Sequence, residues 1–267
     1  MTVLPTLTPT STPKTIGAVD RALAILELFN DQTPELGITE MSKLTGLHKS
    51  TLAGLVYTLE QRGYLFQNRE TRKYRLGLRL AERAQVALTK FAVTEIARPH
   101  LIQLVQRHDE SVNLAVLEKT EVVYIDHVGS SQPLGVRVKI GKRASIHTTA
   151  LGKVITAFLP TEDRDLLVAQ ISTPALEKVT PNSIDTPERL LTELERIKAQ
   201  GYSLDDQENE LGGRCVAAPI FDWAGRVVAG VSLSAPIQRF PYEQVEAYGK
   251  SVRETAAAIS QDMGYRA

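Results

Sequence analysis

Residues 46–65, GLHKSTLAGLVYTLEQRGYL, decide how the first part of this chain folds. Leu52, Leu55, Val56 and Leu59 recur at the three- and four-residue spacing of one helix face, and Gly63 stands where such a helix would stop. Turned outward are Ser50, Ala53, Gly54, Tyr57, Thr58 and Gln61, with Lys49 and Thr51 at the start. Working backward, Ala18, Ala22, Ile25, Leu26 and Phe29 mark a first helix. Thr39 is a plausible N-cap for a short second one ending at Gly46. Working forward, the period changes to extended chain: Tyr64-Leu65-Phe66, a polar turn Asn68–Thr71, then Lys73-Tyr74-Arg75-Leu76. Three helices followed by a hairpin make a winged helix-turn-helix, whose third helix enters the major groove while the hairpin meets the backbone or minor groove.

The charge distribution agrees. Net charge is zero, but residues 14–91 hold 12 Lys/Arg against 8 Asp/Glu, and residues 92–267 hold 19 against 23. Between Arg62 and Arg83 stand seven basic residues against Glu70 and Glu82, the footprint of a phosphate-facing surface. The DNA-contacting set expected from the residues is therefore Lys49, Ser50, Thr51, Ala53, Gly54 and Tyr57 on the helix, with Arg69, Arg72 and Lys73 on the hairpin. Lys49 can bond guanine or a phosphate, Ser50 and Thr51 either, and the Ala53 methyl suits a thymine methyl. A thin base-reading face with a basic hairpin predicts modest selectivity per monomer, which a dimer on a two-part site would recover. Gly54 costs a helix interior about 1 kcal/mol relative to Ala, and two compensations compete: close approach to DNA, or close packing on another helix.

With 267 residues and 43% hydrophobic composition, the chain has the size for two soluble domains. No apolar run suits a membrane span, so no membrane partner is expected. Residues 1–14, rich in Thr and Pro, are expected to be a disordered tail of a cytoplasmic protein without a signal peptide. Residues 15–77 form the DNA-binding domain, 78–93 a linker helix, and 94–267 a domain of effector binding and oligomerisation. In that last part, strands are expected at 112–117, 122–126, 135–140, 201–205, 215–221 and 227–233. Helices are expected at 94–108, 151–158, 162–170, 187–200 and 242–263. The fold class is thus a two-domain α+β protein with a mainly antiparallel sheet flanked by helices.

Several long segments resemble the IclR-type bacterial transcriptional regulators. They are TIGAVDRALAILELF, GLHKSTLAGLVYTLEQRGYL and YRLG in the first part, then HTTALGK, GYSLDDQENELGGRCVAAPIFD and VVAGVSLSAP. The resemblance runs from about Thr15 to Tyr265. It implies a winged helix domain, a linker helix used in dimerisation, and a GAF-like domain that binds a small effector in a homodimer or tetramer. The partner it implies for the first domain is a double-stranded DNA operator. Family members often carry Pro where His48 stands and polar or basic residues where Ala53 and Gly54 stand, so an operator cannot be transferred from relatives.

The resemblance also implies an effector pocket lined by Ala150, Leu151, Asp205, Cys215, Ser232 and Ser234, to which Leu134 and His147 are added. Ser232 and Ser234 are two apart on a strand and share a face. The N–H groups of Ala150 and Leu151 open a helix, which attracts carboxylates and phosphates, so a small organic acid leads as ligand class. Other readings stand beside these. The two serines suit the solvent face of an edge strand. Cys215 suits a buried inert thiol, and His147 suits capping or packing next to Thr148-Thr149. The acidic residues Asp205, Asp206, Glu208 and Glu210 suit a solvated loop, or a balance to Arg137, Lys139, Lys142 and Arg143.

An enzyme is the opposing class. Cys215, His147 and Asp205 have the residue types for thiol catalysis, but no local signature surrounds the cysteine. ALGKVI lacks the earlier glycine and the Ser or Thr of a phosphate loop. The single cysteine and five scattered histidines show no metal-ligand spacing. Neither catalytic residue nor metal nor cofactor is expected; a regulator without an effector is the remaining alternative.

Overall fold

The computed structural model describes residues 15–30, 32–89, 92–133, 135–173 and 175–266. The expected tail, and Leu134 of the expected pocket, lie outside the described residues. The chain divides into two compact units between Ala87 and Leu88.

In the first unit, α1 (Gly17–Glu27), α2 (Ile38–Thr45) and α3 (Lys49–Gln61) precede β1 (Leu65–Gln67) and β2 (Tyr74–Leu76). Ile25, Phe29, Leu36, Met41, Leu52, Val56 and Leu65 form its core, so the apolar spacing of the quoted stretch does become the buried face of α3. Gly46 ends α2 in the left-handed conformation at φ 70°, as a helix stop before α3 requires. The cap of α2 differs from expectation. Gly37, not Thr39, is the N-cap residue, and Glu40 accepts its N–H at 2.6 Å. A carboxylate one turn in reaches back to the orphan donor, so no hydroxyl at residue 39 is needed. The β1–β2 hairpin gains a third strand by the Leu36–Tyr74 bridge, completing a winged helix. Helix α4 (Arg79–Thr89) follows, and the division between the units falls within it.

The second unit opens with α5 (Ala92–His108), then β3 (Ser111–Glu118), β4 (Glu121–Val128), β5 (Arg143–Ser145), α6 (Ala150–Ala157), α7 (Thr161–Ile171) and α8 (Pro187–Gln200). β6 (Ser203–Asp206), β7 (Gly213–Phe221), β8 (Val227–Pro236) and α9 (Val245–Asp262) complete it. Six strands make one antiparallel sheet in the order β5-β4-β3-β8-β7-β6. Because strand side chains alternate, the sheet buries both faces. Val112, Leu114, Val216, Val231 and Leu233 pack with residues of α5 and α9. Ala115, Val122, Tyr124 and Ala217 pack with residues of α6, α7 and α8. The fold is the expected α+β class.

One expected strand is absent. Residues 135–140 are irregular, and the short β5 further on pairs with β4 instead. The alternation of Val136 and Val138 with Arg137 and Lys139 imitates a strand, but this segment finds no ladder partner. It is held at its end by the N–H of Gly141 donating to Tyr124 O at 2.8 Å and that of Tyr124 to Lys142 O at 3.0 Å. Alternation reports an extended chain with two different sides; it does not report a neighbouring strand.

Candidate functional site

Two places carry chemistry, one in each unit. In the first, Lys49, Ser50, Thr51, Ala53, Gly54 and Tyr57 are all exposed on α3. His48, absent from the expected set, is the N-cap. Its Nδ1 lies 3.4 Å from the backbone N of Ser50, which donates to it, and 2.9 Å from Ser50 Oγ. The Ser50 hydroxyl is thus oriented by His48. A Cβ placed on Gly54 would meet nothing within 4 Å. Nothing in the described residues demands glycine there, which removes close intramolecular helix packing as its reason. Thr58 Oγ1 donates back to Gly54 O at 2.8 Å.

The hairpin turn is built by Asn68, whose side chain accepts the N–H groups of Glu70 (2.9 Å) and Thr71 (3.3 Å). Arg72 sits in the left-handed region at φ 59°, with its N–H on Asn68 O at 2.9 Å. The seven cations are not equivalent. Lys73 reaches Glu40 at 3.4 Å, Arg79 and Arg83 share Glu82, and Arg75 lies over the Phe66 ring at 4.6 Å. Arg62, Arg69 and Arg72 have no carboxylate partner among the described residues. Of the expected hairpin residues, Arg69 and Arg72 are therefore the free charges, and Lys73 is partly neutralised.

The second place is a cavity of about 450 Å³ between the sheet, the first turn of α6 and the 135–142 segment. Antiparallel register builds its floor. Asp205, Cys215, Ser234 and Ser111 are successive direct partners across β6, β7, β8 and β3. Directly opposite residues share a face, so this row is contiguous. A second row runs Ser203, Ala217, Ser232, Asn113 and His127. Ala150, Leu151, Asp205, Cys215 and Ser234 all line the cavity. Ser232 lies beneath it, fully buried, and is not among the lining residues. The serines are on a central strand, not on the solvent face of an edge strand.

His147 is also outside the lining. It is buried, with Nδ1 2.6 Å from Ser145 Oγ and Nε2 2.9 Å from Glu177 O. Thr149 caps α6, its Oγ1 accepting the N–H of Gly152 at 3.1 Å. The N–H groups of Ala150 and Leu151 have no acceptor among the described residues, and both residues face the cavity. That is the arrangement in which a helix end receives an anion.

Sequence reasoning missed Asn113, Tyr124, Lys153 and Asn209. Among them, Lys153 is fully buried on α6; its Nζ donates to Leu204 O at 2.6 Å and pairs with Glu208. The first three acids of the run are not solvated: Glu208 pairs with Lys153, Asp206 with Arg214 at 2.7 Å, and Asp205 accepts the N–H groups of Glu208 (2.7 Å) and Asn209 (3.3 Å), while Glu210 is exposed as a solvated loop residue would be. Arg143 pairs with Glu118 and Glu121 instead. Arg137 and Lys142 line the cavity opposite these acids. A buried lysine had no signal of its own; the matching glutamate 55 residues away came near only through the fold.

Burial dominates the electrostatics. It pushes the Asp205 carboxyl up to about 7, with the Glu208 charge adding to the rise and Lys153 and the two N–H bonds opposing it. Burial likewise pushes the Cys215 thiol up to about 12, aided by Asp205 and opposed by hydrogen bonds from Ser234 and Ser232. A thiol held neutral is a poor nucleophile. Among the described residues, no cluster of His, Cys, Asp and Glu could hold a metal ion, and no helix is long and apolar enough to cross a membrane. A second cleft of about 360 Å³ lies between α8, β7 and α9. Lys198, Arg253 and Ser260 are among its lining residues, but it is bordered by the C-terminal turns of α8 and α9, so no helix N-terminus among its lining residues opens into it.

The first unit is thus a winged helix of the DNA-binding class, joined in sequence to a unit with a polar cavity. Residues 18–69 match the IclR helix-turn-helix domain and residues 85–261 match the bacterial transcriptional regulator IclR C-terminal domain. The HTH-type transcriptional regulator XynR of Escherichia coli (strain K12) is 37% identical over 252 residues, covering 94% of this chain and 99% of the relative. The crystal structure of Thermotoga maritima IclR is similar at TM-score 0.79 and 32% identity, covering 93% of this chain and 99% of that one. An IclR homologue from Microbacterium hydrocarbonoxydans, complexed with 4-hydroxybenzoate, is similar at TM-score 0.82 and 26% identity, covering 92% and 98%. The chain belongs to the IclR family of DNA-binding transcriptional regulators.

Proposed function

We propose that this regulator senses a small organic acid in the cavity of its second unit, and that the bound acid alters operator binding by the first. The observation that carries this reading is the pair of unaccepted N–H groups at Ala150 and Leu151, opening into a 450 Å³ cavity that Arg137 and Lys142 also line. An anion there gains from the helix end and both cations. The floor of Cys215 and Ser234 and the wall at Asp205 complete the site. A neighbour of the same family holding 4-hydroxybenzoate supports an organic acid as the ligand class. The described residues support no role for His147 in contacting the ligand; its ring is occupied by Ser145 and Glu177.

On the DNA side, α3 enters the major groove with Lys49, Ser50, Thr51, Ala53, Gly54 and Tyr57, and the hairpin presents Arg69, Arg72 and Lys73 to phosphates. Domain limits of 15–77, 78–93 and 94–267, and a homodimer or tetramer on a two-part operator, are part of the same reading. The working state requires an effector that prefers one arrangement of the assembly, since equal affinity for both shifts nothing.

Isothermal titration of the full-length protein with 4-hydroxybenzoate and a set of aliphatic keto and sugar acids tests the cavity. Mobility shift on the DNA upstream of its own gene tests the coupling. An acid that binds and changes the shift supports the reading. Binding that survives Arg137→Ala plus Lys142→Ala, or that leaves operator affinity unchanged, rejects it. At 100 times Kd the ligand should add about 2.7 kcal/mol to stability.

A further inference from the structure

β6 pairs with β7 only as far as Ser203 opposite Ala217, so Ala218 to Phe221 have no strand beyond them on that side. The cleft of about 360 Å³ lies against this bare edge, lined there by Ala218, Pro219 and Phe221. Pro219 has no N–H, and Phe221 donates its own to Ser260 Oγ at 2.9 Å. An edge short of those donors is a poor template for an added strand. The rest of the lining follows α9, where Arg253, Ala256, Ala257, Ser260 and Gln261 share one face by helical spacing. At the Ser260 end stand three lining rings: Phe221 lies 5.5 Å from Phe158 and 5.1 Å from Tyr265, centre to centre. At the other end, Arg253 Nη1 donates to Gln200 O at 3.1 Å, close to Lys198 on the last turn of α8. The two ends are about 10 Å apart along α9, and between them the side chains are mostly alanine.

The charge of the cleft has one sign. No Asp or Glu lines it, and Lys198 and Arg253 have no carboxylate partner among the described residues. The bordering helix ends do little to offset them: Arg253 covers Gln200 O, and the N–H groups of Met263, Tyr265 and Gly264 cover Ile259 O, Ser260 O and Gln261 O. A guanidinium carries five N–H donors, so the bond to Gln200 leaves others for a ligand. We propose that this cleft is a second small-molecule site, for an organic anion with a flat ring at one end and a carboxylate at the other. The ring rests against Phe158, Phe221 and Tyr265, and the carboxylate meets Arg253 and Lys198. Apolar walls with a few placed polar groups are the usual form of a small-ligand site, and a charge-assisted bond fixes the orientation. The cleft and the cavity of the proposed function share no lining residue, so the two sites stand or fall separately.

The test is calorimetric titration of the full-length protein carrying Arg137→Ala plus Lys142→Ala, which disables the cavity and leaves the cleft intact. The probes are 4-phenylbutyrate, butyrate without the ring, and 4-phenylbutylamine with the charge reversed. The expected result is binding of 4-phenylbutyrate at one site per chain, at least tenfold tighter than either of the other two. Ala257 is exposed on α9, so Ala257→Trp fills the cleft from the solvent side and should abolish that binding. Lys198→Glu, at another exposed position, should weaken it tenfold or more and decides the matter if Ala257→Trp does not fold. No binding of 4-phenylbutyrate up to millimolar concentration, equal binding of the amine, or binding that survives both cleft variants overturns the proposal. So does binding to wild type that disappears with Arg137 and Lys142, which would put the ligand in the cavity. Sedimentation velocity on the same proteins covers the other occupant: an oligomer that Ala257→Trp dissociates would assign the cleft to a second copy of the chain and overturn the small-molecule site.

Discussion

Cys215 on β7 and Ser234 on β8 are direct cross-strand partners, and their Sγ and Oγ atoms meet at 2.8 Å beneath the cavity. Asp205 is the next residue of the same row, so one buried carboxyl, one neutral thiol and one hydroxyl stand side by side. Burial of the Asp205 carboxyl beside the thiol gives the floor a pH dependence.

Asp205 is raised from 3.8 to about 7. The folded protein therefore holds a proton there that the unfolded chain releases at lower pH. The stability this contributes is complete below pH 3.8 and is lost as pH rises to about 7, at most on the order of 4 kcal/mol. Asp205→Asn keeps an oxygen for the Glu208 and Asn209 N–H groups and removes the titration. Urea unfolding should show the variant gaining on wild type between pH 5 and pH 8. A carboxylate ligand should bind wild type more weakly as pH passes 7, and the variant without that fall. A parallel pH trend in both proteins would place the titration elsewhere.

Gly54→Ala should raise thermal stability by up to ~1 kcal/mol, since alanine is the better helix former and its Cβ meets nothing within 4 Å. The same variant should bind operator more weakly if the glycine serves a close approach of α3 to DNA, since packing within the described residues does not require it. Mobility shift and thermal melting on one preparation check both halves; unchanged affinity would leave Gly54 without a physical account.

Arg72 has no carboxylate partner among the described residues, whereas Lys73 shares its charge with Glu40. Arg72→Ala should weaken binding to all sequences alike and lower the slope of log affinity against log salt by about 1. Lys73→Ala should do so less. Lys49→Ala should alter sequence preference, by about 1–3 kcal/mol at one base pair. Selection of operators from a random pool compares the three variants, and a preference change confined to Arg72→Ala would exchange the groove assignments.

Gly152→Ala is expected to damage the second unit. A Cβ there would stand 2.3 Å from Ile146 Cα and 2.6 Å from Ile146 O, backbone atoms that cannot turn aside. Overpacking of this kind costs about 1–3 kcal/mol, and relief by shifting α6 would move the Ala150 and Leu151 N–H groups. Calorimetry should show a lowered melting transition, and titration a weakened ligand. A variant as stable as wild type would mean that α6 adjusts freely.

The winged helix was legible because its signals are local. Leu52 and Val56 lie on one face of a helix by spacing alone, Gly46 ends the helix before it and Gly63 follows its own end. The α2 cap was misread because Thr39 and Glu40 are both capping residues, and only geometry shows which one reaches the orphan N–H at Gly37. In the second unit, residues 135–140 alternate as a strand does, yet lie across the cavity without pairing.

The sequence by itself determined the IclR-type organisation, the helix face of α3 and the basic hairpin, and by resemblance it nominated Ala150, Leu151, Asp205, Cys215, Ser232 and Ser234. Those rest on periodicity, local turn chemistry and long motifs, all carried by near neighbours in the chain. Only the tertiary structure decided which of those positions meet. It put Asn113 between two serines more than 100 residues away, closed Lys153 onto Glu208, and turned His147 out of the cavity. The reason is strand register: which side chains share a floor depends on how six strands pair across the whole second unit, and no window of sequence contains that pairing.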